Sequence, residues 1–177
     1  MFVPVKAAIA GVLVLAIAGL TLGLVTASHH HSPSRAHARV NTFVAGDKSF
    51  SLSYPSGWHA TAVGQTAAVI ERTDHRGVVL VHEGPALTTK LQNVVKDLPR
   101  QLAKRFPDFR PVGASATNLS TGPAVVYTFV RTKARKVQTI VVAPTAKRSF
   151  TLQVAAPSDA RDAAREAGQI VRSLRSR

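Results

Sequence analysis

The spacing of apolar residues changes repeatedly along the chain. From Ala7 to Ala27 (AAIAGVLVLAIAGLTLGLVTA) 21 residues pass without a charge; as a helix at about 1.5 Å per residue they would cover roughly 31 Å, the thickness of a bilayer core. Phe50, Leu52 and Tyr54 then alternate with serines, the two-residue period of a half-buried strand, and Pro55-Ser56-Gly57 predicts a turn before Trp58. Runs rich in β-branched residues at Ala67 to Arg72 and Gly77 to His82 predict a hairpin, with Gly77 permitting the turn.

The period then lengthens. Leu87, Leu91, Val94, Val95, Leu98, Leu102 and Phe106 recur at three- and four-residue steps, which predicts a helix with one apolar face. Thr89 and Gln92 have capping-box spacing, and Pro99 predicts a kink or short break, since it has no N–H for the Val95 carbonyl. After Pro107 strands return. Gly122-Pro123 marks a turn before a three-strand meander over Ala124 to Arg131, Lys136 to Ala143 and Ser149 to Ala156, whose core face includes Phe150, Leu152 and Val154. A last helix is expected from Ser158 as cap, with Asp159 and Asp162 at its positive end and Arg172 and Arg175 at its negative end. Its packing side would be Ala160, Ala163, Ala164, Ala167, Ile170, Val171 and Leu174. Strands, helix, strands, helix without strict alternation predict an α+β fold with a mostly antiparallel sheet.

Three segments follow from this pattern. Residues 1–27 form an N-terminal transmembrane or signal helix. Their length favours a retained anchor, while Val25 and Ala27 before Ser28 supply the small-residue pattern of signal cleavage near Ala27. A single Lys6 leading into the apolar run points to a domain outside the cytoplasm. Residues 28–46 read as a polar spacer, although Phe43 and Val44 already suit the domain; His29, His30, His31 and His37 could touch a metal there without preorganised geometry, so no metal site is expected. Residues 47–177 form the folded domain. The absence of cysteine excludes disulfides, thiolate metal sites and a lipidated amino terminus.

The stretch Phe50-Ser51-Leu52-Ser53-Tyr54-Pro55-Ser56-Gly57-Trp58 resembles the opening strand and YPxGW turn of PsbP-like domains, and also the LpqN-type lipoproteins of actinobacterial envelopes. The middle amphipathic helix, the Gly122-Pro123-Ala124 strand entry, the meander and a terminal helix reaching Ser173-Leu174 extend the match over Val40 to Arg175. The resemblance implies an α/β/α sandwich with a twisted antiparallel sheet, in an accessory or binding protein rather than an enzyme. One departure is the missing lipidation cysteine, whose place a helical anchor would take.

Net charge is +14, so anionic partners are favoured. The densest cluster, Arg131, Lys133, Arg135 and Lys136, falls at the first meander turn and is the candidate binding surface for anionic lipid headgroups or an acidic partner. Lys147-Arg148 falls at the second turn, at the opposite end of the sheet; that separation, and the lack of interleaved aromatics, argues against nucleic acid. No G-x-S-x-G elbow, phosphate loop or paired carboxylates occur, so no catalytic residue and no cofactor is expected. The expected partners are the membrane and an envelope lipid, polymer or protein. The competing reading is an envelope hydrolase whose site gathers residues distant in sequence, with His59, His75 or His82 as base. On a strand His82 and Glu83 point to opposite faces and would not pair.

Overall fold

The computed structural model describes residues 39–177. Two antiparallel sheets and two helices make up the fold. The smaller sheet joins β1 (Val40–Val44) and the two-residue β10 (Arg175–Ser176) to either side of β2 (Phe50–Pro55). The larger sheet holds β3 (Trp58–Val63), β4 (Ala67–Arg72), β5 (Val78–Pro85), β6 (Phe109–Leu119), β7 (Gly122–Arg131), β8 (Lys136–Pro144) and β9 (Arg148–Pro157). Its order is β3-β4-β5-β9-β8-β7-β6. Helix α1 (Leu91–Arg105) carries the chain from β5 in mid-sheet to β6 at the far edge; the meander then returns to β9, which pairs with β5. Helix α2 (Arg161–Arg172) follows β9.

Strand alternation divides the core. On β7, Val125, Tyr127 and Phe129 pack with Val94, Leu98 and Leu102 of α1, whereas Ala124 and Val126 join the cluster containing Ala167, Ile170 and Val171 of α2. Consecutive strand residues face opposite ways, so the helices lie on opposite faces. The small sheet shares the α2 face, where the Phe50 and Phe150 rings meet edge-on with centroids 5.7 Å apart. Phe50, Leu152, Ile170 and Leu174 are fully buried there, each contributing about 1.5–3 kcal/mol by area removed from water.

The meander, the hairpin and both helices lie where the apolar pattern puts them, and the residues outside the described range include the whole expected membrane segment. No helix among the described residues is long and apolar enough to cross a membrane. Val40–Val44, expected at the end of the spacer, forms β1 against β2. This pairing, with β10 on the other side, explains why Ser51 is buried with its neighbours rather than facing water: β2 is a central strand. β3 was not evident from the sequence, and β5 runs three residues beyond His82.

Local signals misplace four termini and joints. Lys90 caps α1 without a side-chain bond; Thr89 Oγ1 instead accepts from Asn93 Nδ2 at 3.2 Å, so no capping box forms with Gln92. Helix α1 continues through Pro99 without a break, because Val94, Leu98 and Leu102 are buried on both sides of it. Ala160, not Ser158, is the N-cap of α2, since the Ser158 N–H donates to the Arg135 carbonyl at 3.0 Å and holds that segment outside the helix. Arg175 lies in β10 beyond the helix end.

Gly77 does not supply the hairpin's left-handed residue; His75 does, with φ 59°. Gly77 is needed for space. A Cβ at Gly77 would come within 2.7 Å of the Trp58 ring and 3.3 Å of Ala163, at the seam where β3 and β5 meet α2. We expect Gly77→Ala to destabilise the protein by about 1–3 kcal/mol through overpacking, read as a lower urea midpoint. An unchanged midpoint would mean that the Trp58 ring yields without cost.

A candidate anion-binding groove

Helix α2 sorts its charges by flank. At 3.6 residues per turn, Asp162 and Glu166 fall on one side and Arg161, Arg165 and Arg172 on the other. The acids are taken up by the β3–β4 half of the sheet. Arg72 Nη1 donates to Asp162 Oδ2 at 2.6 Å and Arg72 Nε lies 3.7 Å from Glu166, which also accepts the Trp58 indole N–H at 2.8 Å. The hydrogen bond from Arg72 is the main reason that the Asp162 carboxyl titrates below its ordinary range. Just before the helix, Asp159 pairs with Arg76 at 2.9 Å. No carboxylate among the described residues pairs with Arg161, Arg165 or Arg172.

On that basic flank α2 covers only part of the sheet. A groove of about 170 Å³ opens between the helix and the β6–β9 surface. Its floor is Leu119, Val126, Val141 and Val154 with the hydroxyls of Thr117 and Thr139, and Thr139 also bonds Thr128 at 3.2 Å. Ala164, Gly168, Val171 and Arg172 form the wall. Ala164, expected to pack on the sheet, is exposed here, because the sheet falls away beneath it. The Arg172 guanidinium lies along Gly168, with Nη1 3.5 Å from where a Cβ would stand, an ordinary contact distance. An apolar floor, two hydroxyls and a guanidinium rim suit an anionic group attached to an apolar one.

The structure separates the candidate residues of the first meander turn. Arg131 is a structural residue: its Nε donates to the buried Asp108 carboxylate at 2.5 Å, and its guanidinium lies 4.1 Å above the Phe106 ring. The same carboxylate accepts the Lys133 backbone N–H at 3.1 Å, while the side chains of Lys133, Arg135 and Lys136 are exposed. Because the Arg135 carbonyl receives the Ser158 N–H, this turn sits against the approach to α2. The exposed Lys133, Arg135 and Lys136 therefore stand near the segment that leads into α2. Lys147-Arg148 lies at the opposite sheet end, as the meander requires, and Arg148 is occupied by Glu83 at 2.8 Å. Sequence reasoning treated Arg172 only as a helix-end charge; the four- and seven-residue steps from Arg161 to Arg165 to Arg172 were the signal for a stripe.

The histidines do not form a nucleophile site. His59 lies 3.9 Å and His75 2.8 Å from Glu71, an acid brought in by cross-strand register and by the turn. Both rings are about half exposed, and neither is hydrogen-bonded to a hydroxyl. His82 has a buried Nδ1 without a hydrogen-bond partner, and Glu83 turns to Arg148 and Ser49 instead. Among the described residues no three His, Asp or Glu side chains are grouped to hold a metal. His29, His30, His31 and His37 lie outside the described residues.

No family model and no curated protein matches this chain. Among solved structures it is similar to cyanobacterial PsbP (CyanoP) from Synechocystis, with TM-score 0.60 and 10% identity over 84% of this chain and 98% of that one. It is also similar to LpqN of Mycobacterium tuberculosis, described as involved in cell envelope biogenesis, with TM-score 0.50 and 20% identity over 77% of this chain and 88% of that one. At these identities the likeness is one of fold: the domain is PsbP-like and resembles LpqN.

The Asp108 latch gives a pH dependence with a definite sign. Burial alone would raise the Asp108 pKa, but the Arg131 hydrogen bond and charge, with the Lys133 N–H, hold it below the ordinary value. A depressed folded pKa contributes stability that is present above the unfolded value, near pH 4, and lost as pH falls through the folded one. Asp162 acts in the same direction. Urea unfolding from pH 7 down to pH 2 is expected to show stability falling below about pH 4, with a shallower fall in Asp108→Asn. Identical pH profiles would remove Asp108 from the account.

Proposed function

We propose that the protein is a non-enzymatic accessory protein of the cell envelope, held by residues 1–27 with its domain outside the cytoplasm, and that the groove beside α2 binds an anionic ligand carrying an apolar part. The observation that carries this reading is Arg172, paired with no carboxylate among the described residues, at the rim of an apolar floor, with Arg161 and Arg165 exposed on the same face of α2. Local energetics oppose that placement. Arg161 in the first turn faces the positive helix end, and Arg161 and Arg165 repel at i, i+4, each at a cost of roughly 0.2–1 kcal/mol. An anion held against this face of α2 would relieve both.

The exposed Lys133, Arg135 and Lys136 extend the same field toward a negative surface, each contributing up to about 1 kcal/mol near anionic lipid. Arg131, tied to Asp108, belongs to the support of that turn. The described role of LpqN in envelope biogenesis fits an extracytoplasmic placement.

A C-terminal reporter active only outside the cytoplasm should be active on the full chain; a silent reporter would put the domain on the wrong side. For the groove, hexyl phosphate should bind the full chain in neutral nanodiscs more tightly than inorganic phosphate. The Arg161→Gln, Arg165→Gln, Arg172→Gln variant should bind it at least about tenfold more weakly, with a flatter salt dependence. Equal binding by variant and wild type would overturn the groove reading.

A further inference from the structure

The outer edge of the large sheet at β6 is built unlike a guarded edge. Exposed edge strands normally carry lysines, prolines or bulges that prevent another strand from pairing. In β6 the bulge and Pro111 stand only at its base, between Pro111 and Gly113. From Gly113 to Leu119 (GASATNL) there is no charge and no proline, and Gly113 to Ala116 and Asn118 are exposed.

The direction of the free backbone groups follows from register. Leu119 pairs with Gly122 across a two-residue turn, so that closing pair exchanges hydrogen bonds, as do Thr117 with Ala124 and Ser115 with Val126. The intervening Ala114, Ala116 and Asn118 therefore point both N–H and C=O away from β7, toward the open edge. None of the three has a hydrogen bond to any other turn or loop.

Charge selects the occupant. The base of this edge carries the exposed Arg110. At its tip the Ser120 hydroxyl donates to the Leu174 carbonyl, and Arg175 Nη1 approaches the same oxygen at 3.3 Å, so a guanidinium stands beside the hairpin end. We propose that β6 is a strand-addition site for an extended segment of a partner protein, neutral over about five residues and bearing carboxylates at both ends. Its backbone completes the bonds of Ala114, Ala116 and Asn118, and its acidic ends meet Arg110 and Arg175. A second copy of the chain could adopt a two-fold register about Ala116, but it would bring another net charge of +14 to the edge. This surface is separate from the groove and does not depend on it.

The probe is the synthetic peptide Glu-Glu-Val-Thr-Val-Thr-Val-Glu-Glu, added to the full chain in neutral nanodiscs, with amide hydrogen exchange as the readout. Exchange at Ala114, Ala116 and Asn118 should slow at least about tenfold while Ser115 and Thr117, already bonded to β7, stay unchanged. Ala116→Pro should abolish the effect without breaking a ladder bond, because that N–H faces outward. The proposal is overturned if the three amides exchange at the same rate with saturating peptide. It is equally overturned if a peptide with Lys in place of Glu protects them as well, or if protection appears without peptide and grows with protein concentration, which would assign the edge to a second copy.

Discussion

Nine carboxylates serve 23 lysines and arginines in this chain, so the places where acids are used decide which faces remain basic. The controlling contact is the one between Arg72 of β4 and the acidic flank of α2. Arg72 reaches Asp162 at 2.6 Å and lies within 4 Å of Glu166 and Asp74, while the Trp58 indole binds Glu166 from β3. Burial lowers the Arg72 pKa, but the Asp162 hydrogen bond and the three acidic charges more than reverse that, so the cation is secured. Apolar packing of Ala163, Ala167 and Ile170 holds the helix on the sheet. That buried face sets the rotation of the helix about its own axis, and the ion network ties down its acidic flank. With the acids turned toward β3 and β4, Arg161, Arg165 and Arg172 share the exposed face of the helix, and Arg172 reaches the rim of the groove.

The same allocation operates at the other helix. Asp108 is buried after α1; its carboxylate accepts from the Arg131 guanidinium and the Lys133 backbone N–H, and its carbonyl accepts the Thr132 N–H. One acid thereby shapes a turn whose remaining charges, on Lys133, Arg135 and Lys136, face solvent. Because the Arg135 carbonyl also holds Ser158, the turn and the approach to α2 form one joint.

Periodicity carried much of the architecture. The apolar stripe from Leu91 to Phe106, the alternation around Phe50 and the alternating core residues Phe150 and Leu152 each report one element's own burial, and they place both helices and the meander correctly. The Phe50 to Trp58 stretch also pointed to the PsbP-like fold. What was not legible depends on contacts between distant residues. β3 (WHATAV) has small residues in place of an alternating row of large apolar ones, and it is recognisable only from its pairing with β4. Ser158 and Thr89 had the chemistry of caps, yet long-range or side-chain partners claimed them. Arg131 was indistinguishable from Lys133 in sequence because Asp108 lies 23 residues away. The groove itself was invisible for the same reason: Leu119, Val126, Val141 and Val154 meet on one floor only after the strands are in register.

The most direct measurement of the central claim is side-chain NMR of the full chain in neutral nanodiscs, titrated with hexyl phosphate. Resonances of the Arg161, Arg165 and Arg172 guanidinium groups and the methyls of Val126, Val141 and Val154 should move together and saturate with a single Kd. Shifts spread over basic residues across the whole surface, including Arg110 and Lys147, with the valine methyls still, would contradict it and leave α2 with only a solvated basic flank.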